Sequence, residues 1–323
     1  MNRSSKSTAT KKPLRVLVTT GDSDGIGWEV TVKALKELGP QPGVHFTLMA
    51  APGAHAQGPR LKRIFKLQVV KSLAEAERCP QSPHLITLVE SPLNPALWVE
   101  QATISCLKKK HDALVTGPLS KTTIIEAGLK DIGHTEILSR LSGTKDLFMG
   151  FVGEKFSVVL ATGHQPLVEA VQSLSLAKLK KAIHAAERLR AILPPRKRRL
   201  PIALVGLNPH AGEKGLIGRE EKRFQELHHP DLVGPLVPDA AFLPDNWKRY
   251  SVFVSPYHDQ GLIPFKLVHG FDQGVHLTLN LPFVRTSVDH GTAKELFGLN
   301  KAKPGSMRDA LTTAIRLCKE TPS

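Results

Sequence analysis

Short aliphatic runs alternate with longer amphipathic stretches along most of the chain, and no other feature limits its fold so strongly. "LRVLVTT" (14–20), "HFTLMA" (45–50), "HLITLVE" (84–90), "DALVTG" (112–117), "FSVVLAT" (156–162), "IALVGL" (202–207) and "SVFVSP" (251–256) have the length and β-branched content of buried strands. Between them lie helical patterns such as "WEVTVKALKEL" (28–38), "PALWVEQATISCLKKK" (95–110) and "SLAKLKKAIHAAERLRAI" (175–192). In the last, Leu176, Leu179, Ile183, Ala186 and Leu189 recur at helical spacing, with Lys and Arg on the other face. Such alternation predicts an α/β fold with largely parallel sheets flanked by helices. At 323 residues the chain is long enough for two domains, each with its own core.

Composition narrows the function classes. No apolar run approaches the roughly 18 residues of a membrane span. "MNRSSKSTATKKPLR" is basic and Ser/Thr-rich but has no apolar core, so it reads as a tail (1–12) and not as a secretory leader. Cys79, Cys106 and Cys318 are odd in number and widely spaced, which argues for a reducing cytoplasm and against a disulfide framework. The net charge of +15 suits anionic metabolites as well as nucleic acid. With no zinc-finger spacing and no aromatic stacking platform, nucleic acid is not the expected partner.

Three histidines occupy matched places. His164 follows "FSVVLATG", His210 follows "IALVGLNP" and His258 follows "SVFVSPY". Ligands of open α/β sheets bind outside the carboxyl ends of strands, so three imidazoles there could converge on a metal with one open position. Each could equally be a hydrogen-bonded loop residue. Asp259 beside His258, and Glu213 after His210, could orient the rings or simply solvate their loops. "TTGDSDGIGWE" (19–29) is a glycine turn between strand and helix that could hold an anion. It lacks GxGxxG and GK[ST], and a tight turn with Asp22 as a cap explains it as well. His134 and Thr135 precede a helix, and Lys266 and Arg285 flank "LVHGFDQGVHLTLNLPFV", where they could clamp a phosphate or carboxylate.

Taken in order, "GDSDGIGWE", "ALVTGPLSK", "GHTE", "LNPHAGEKGLIGREE", "YHDQGLIPFK" and "LPFVRTSVDHGTA" resemble the 4-hydroxythreonine-4-phosphate dehydrogenase family of pyridoxal phosphate biosynthesis. The matching stretches span residues 19 to 293. The resemblance implies a two-domain fold like that of isocitrate and isopropylmalate dehydrogenases, with the active site in the interdomain cleft. It divides the chain into a first unit (13–130 with 288–323) and a second (131–287). It implies a divalent ion (zinc, cobalt or magnesium) on His164, His210 and His258, with His258 supplied across the interface of a homodimer that shares its active sites. It further implies a small phosphorylated substrate on His134, Thr135, Lys266, His276 and Arg285. Asp239, Asp259 and Lys266 fall on catalytic or supporting positions, and His290, Gly291, Thr292 and Ala293 on an NAD or NADP loop.

The implied reaction oxidises C3 of 4-phosphohydroxy-L-threonine, and the resulting β-keto acid loses CO2. The metal lowers the alcohol's pKa, and the distant phosphate positions C3. The chain departs from the family at His276, where Asn is usual, and at "GDSDGIGWE" and "ATGH", where "GDPAGIGPE" and "ATTH" are usual. An imidazole at 276 can donate one hydrogen bond to phosphate and adds attraction if protonated. Threonate or erythronate 4-phosphate is the alternative substrate class. A metal phosphohydrolase and a basic nucleic-acid-binding protein are the readings outside the family.

Overall fold

The computed structural model describes residues 12–57, 61–270 and 272–320, so the tail lies, apart from Lys12, outside the described residues. All seven expected runs are strands: β1 (Leu14–Thr19), β2 (Val44–Ala50), β4 (Leu85–Glu90), β5 (Ala113–Thr116), β7 (Ser157–Leu160), β8 (Ile202–Val205) and β10 (Phe253–Ser255). Five more join them: β3 (Lys66–Val70), β6 (Phe148–Gly153), β9 (Leu232–Leu236), β11 (Gly274–Leu279) and β12 (Val284–Val288). They form one twelve-stranded sheet in the order β3-β4-β2-β1-β5-β12-β11-β6-β7-β10-β8-β9. The strands from β3 to β12 are mutually parallel, and β7, β10, β8 and β9 form a second parallel block running the opposite way. Between the blocks β11 and β6 pair antiparallel with each other and with their outer neighbours.

Both faces of the sheet are covered, which is why its strands read as continuous apolar runs. Successive residues of β1 serve opposite cores. Val16 and Val18 pack with residues of the helices Gly27–Leu38 and Gly305–Glu320, whereas Leu17 packs with Trp98 of the helix Pro95–Leu107. The helix Leu176–Ala191 buries Leu179, Ala182, Ile183, Ala186 and Leu189, the stripe its periodicity predicts, and Ser175 caps its start by accepting from the Lys178 N–H.

The glycine turn is a packing device. A Cβ on Gly27 would lie 1.7 Å from the Thr20 carbonyl oxygen, so only glycine lets the helix start this close to β1. Asp22 does not cap that helix. Its Oδ1 accepts from the Ser120 N–H at 3.2 Å and so ties the turn to the loop after β5.

Candidate active site

The middle of the sheet, where the two parallel blocks meet, carries a cavity of about 720 Å³. β12 and β11 supply Arg285 and His276, β6 supplies Phe151, and the loop before the helix His134–Ser142 brings Gly133 with His134 and Thr135. The helix His258–His269 adds His258 and Lys266, and residues 289–291 close one side.

Arg285 is 2% exposed, and every group that accepts from it is uncharged. Nη1 donates to Thr278 Oγ1 at 2.9 Å and to His276 Nδ1 at 3.2 Å, and Nη2 donates to Thr116 Oγ1 at 2.5 Å. Its Nε has no partner among the described residues. Burial without a counter-charge lowers the guanidinium to about 9. A buried cation of this kind is costly unless an anion joins it.

His276 is held in one state. Its strand pairing sets it opposite Phe151, and the two rings stack with centroids 4.9 Å apart. Because arginine can only donate, His276 Nδ1 must accept, and the ring proton therefore sits on Nε2. Burial and the Arg285 charge hold the ring well below its ordinary pKa. The added attraction of a protonated ring is therefore absent here: His276 is a neutral donor, and its Nε2 has no partner among the described residues. His134 Nε2 is likewise buried and without a partner among the described residues, and burial, then Arg285, lowers that ring to about 3. The helix His134–Ser142 begins without a side-chain cap, so its first N–H groups complete a setting suited to an anion.

The expected metal ligands divide. β10 lies between β7 and β8 in the sheet, so the residues that follow β7 and β10 are neighbours. The rings of His164 and His258 face each other with centroids 4.9 Å apart. His258 Nδ1 bonds Asp259 Oδ1 at 2.6 Å, which leaves Nε2 for a ligand. His258 thus lines the same chain's cavity as His164, where the resemblance implied that it crosses to a partner. The loop 209–215 turns away through left-handed residues, and His210 is exposed, bonded to Glu213 Oε2 at 3.2 Å. Buried Glu221 holds this loop by accepting from the N–H groups of Leu207 and Asn208. Among the described residues no three His, Cys, Asp or Glu side chains cluster for a metal within one chain. Asp239 is exposed on a short helix packed against the His210 loop, outside the cavity.

Of the expected cofactor loop, His290 and Gly291 line the cavity, while the Thr292 carbonyl accepts from the Ile26 N–H at 3.0 Å. The loop is therefore tied to the glycine turn by a backbone hydrogen bond. Sequence reasoning passed over Asp289, a buried carboxylate facing the cavity beside Lys266, with Oδ1 and Nζ 3.9 Å apart. It also passed over Thr116 and Thr278, which look like ordinary strand residues until β5, β12 and β11 are placed side by side.

The mostly parallel, helix-flanked sheet places the chain in the isocitrate dehydrogenase-like class of α/β folds. Isocitrate dehydrogenase from Methylococcus capsulatus shares the fold with a TM-score of 0.54 at 14% identity, covering 95% of this chain and 86% of its own. Within that class the chain belongs to the family described as pyridoxal phosphate biosynthetic protein PdxA, whose model matches residues 94–314. It is 33% identical to a 4-hydroxythreonine-4-phosphate dehydrogenase from a Sulfurihydrogenibium species, over 94% of this chain and 98% of the relative. It is 34% identical to a D-threonate 4-phosphate dehydrogenase from Salmonella typhimurium, with the same coverage of both chains. The crystal structure of a 4-hydroxythreonine-4-phosphate dehydrogenase from Klebsiella pneumoniae superimposes with a TM-score of 0.73 at 31% identity, covering 94% of this chain and 99% of that one.

Proposed function

We propose that this protein is a nicotinamide- and metal-dependent dehydrogenase of 4-phosphohydroxy-L-threonine, acting in pyridoxal phosphate biosynthesis. The observation that carries the reading is Arg285, a buried cation that among the described residues bonds only neutral groups and is flanked by the Nε2 atoms of His134 and His276, which have no partner among them. A phosphate would supply the missing charge and accept these bonds. Lys266 adds a second cation, and Thr135 lies at the helix N-terminus beside them. The cavity is lined from both sequence units, 13–130 with 288–323 and 131–287, which fits a cleft between them.

His164 and His258 suit a divalent ion, since their rings face each other and Asp259 orients one of them. Such an ion would favour the ionised alcohol. His290, Gly291, Thr292 and Ala293 would take NAD or NADP, the hydride acceptor. With two histidines per chain at the cavity, the third ligand in this reading is His210 of a second copy, and Asp239 travels with it. Exposed apolar residues near His258 and His164, namely Ile263, Leu267, Leu167 and Val168, support a homodimer interface there.

Coexpression tests this arrangement. His164→Ala and His210→Ala chains should each be inactive alone. Mixed together they should recover about a quarter of wild-type activity, because half the dimers carry one intact site of two. Recovery by His164→Ala with His258→Ala instead would assign the crossing ligand to His258. The assay is nicotinamide reduction with 4-phosphohydroxythreonine, D-threonate 4-phosphate and erythronate 4-phosphate side by side.

A further inference from the structure

We propose that Asp289 is the proton acceptor of the alcohol oxidation, an assignment that rests on the dehydrogenase reading above. The residue stands between the anion anchor at Arg285 and the loop that begins at His290, where a substrate's reacting carbon and its hydride acceptor must meet. Its backbone is fixed: the Asp289 N–H donates to Ser306 Oγ at 2.9 Å, and that hydroxyl donates to the Gly274 carbonyl at 2.8 Å. The side chain is 4% exposed. Oδ1 lies 3.9 Å from Lys266 Nζ, and Oδ2 has no hydrogen-bond partner among the described residues. A Cβ on Gly274 would come within 2.9 Å of Oδ2, so glycine at 274 is what leaves room for the carboxylate. A buried carboxylate without hydrogen-bond donors is costly as a structural element, and that is the state in which a base serves best.

The groups around it leave few alternatives. Lys266, from the helix His258–His269, is the cation whose charge favours the ionised carboxylate, and burial outweighs it, so the carboxyl is raised to about 6. His276 carries its proton on Nε2 and cannot accept another there without ionising beside Arg285. His164 and His258 are assigned to the metal. Asp272, in the loop before β11, is engaged with the Gly305 N–H. His290 donates Nδ1–H to the Gly291 carbonyl and leaves Nε2 as a competing acceptor, and Glu136 faces the cavity from the helix His134–Ser142. A base with a pKa just below neutrality combines ionisation at working pH with useful basicity.

The step balances. The alcohol O–H bond breaks and its proton forms a bond to Asp289 Oδ1. The C3–H electron pair would leave as hydride to a bound nicotinamide, the two-electron oxidant, as the alcohol becomes a ketone. The proton then passes to water.

The experiment compares wild type with Asp289→Asn, Asp289→Glu, Glu136→Gln and His290→Asn, as full-length protein loaded with metal. Rates with 4-phosphohydroxythreonine are followed between about pH 5 and 9, together with the melting temperature and the infrared band of protonated carboxyl groups. Wild-type kcat/KM should rise through about pH 6 and level off. Asp289→Asn should lose that limb, with kcat down at least about 100-fold and KM within about threefold. Asp289→Glu should restore the limb. A carboxyl band titrating near pH 6 should be present in wild type and missing from Asp289→Asn, whose melting temperature at pH 8 should hold or rise because the cost of burying the ionised carboxylate outweighs its attraction to Lys266. The proposal is overturned if Asp289→Asn keeps the limb and the rate, if the limb vanishes in Glu136→Gln or His290→Asn instead, or if Asp289→Asn melts lower at pH 8 in step with its lost rate. A wild-type enzyme that shows the carboxyl band but oxidises none of the three 4-phosphorylated acids would remove the dehydrogenase reading and the proposal with it.

Discussion

Two sets of histidines with buried ring nitrogens flank this sheet and differ in one respect. Near β2 and β4, His45 and His111 use both ring nitrogens. His45 meets the Ser82 carbonyl at 3.2 Å and Thr87 Oγ1 at 3.1 Å, and His111 meets Ser105 Oγ at 2.8 Å and Thr47 Oγ1 at 3.2 Å. At the centre of the sheet, His134, His276 and His290 each leave Nε2 without a partner among the described residues. Buried ring nitrogens are common to both sets, so burial alone does not mark function. A ring whose hydrogen bonds are complete belongs to the fold. One that is buried and incomplete is kept for a ligand.

The sharpest way to break this comparison is Arg285→Met. Losing at least two charge-assisted bonds to phosphate should lower kcat/KM at least about 1000-fold. The melting temperature should not fall, because a buried cation without a counter-charge is replaced by an apolar side chain of similar length. Inorganic phosphate should stabilise wild type and not the variant, a difference readable by thermal melting. A variant that melts much lower and still responds to phosphate would place Arg285 with the structural set.

Asp259→Asn probes a milder dependence. Its carboxylate bonds His258 Nδ1 at 2.6 Å, so the change should cost about 10- to 100-fold in metal affinity and activity, with the phosphate response intact. Elemental analysis against added metal measures it. Unchanged metal affinity would show that His258 needs no orienting partner.

His111→Leu should have the smallest effect on catalysis and a clear one on stability. Leaving Ser105 and Thr47 without the imidazole should cost about 1–3 kcal/mol, with kcat/KM of the folded enzyme unchanged. Burial lowers His111 to about 4, so its neutral form favours folding. That contribution is complete above the unfolded-state pKa of about 6.5 and declines as pH falls from there to about 4. Denaturant titrations across this range should show a shallower pH slope in the variant. A change in kcat/KM would merge the two sets and end the distinction.

The parts of the fold that were legible are those whose local pattern is complete in itself. β2 is buried along its whole length and reads as a strand, and Ser175 with its apolar stripe reads as a helix start. The missed strands lack such a signal. β3 is a partly exposed edge strand, β9 contains Gly234-Pro235, and β11 with β12 looked like a stretch between two basic residues and not like paired strands. β6 is a short run carrying two glycines. The candidate site follows the same division. His164 and His258 announce themselves as histidines after strands, but the adjacency of β7 and β10 is a property of sheet order, and sequence order puts β8 and β9 between them.

The sequence by itself determined the α/β class, the family and the residue types that reach the strand ends, because each is carried by residues close together along the chain. Tertiary structure decided which of those groups are left unsatisfied. Arg285 draws its neutral partners from β5 and β11, up to 169 residues away, and His276 is fixed as a donor by that contact. Asp289 becomes a candidate base only when β12 sets it beside Lys266, and His210 turns outward because its loop does. Charge, protonation and hydrogen-bond vacancy depend on neighbours in space, and a linear pattern does not encode them.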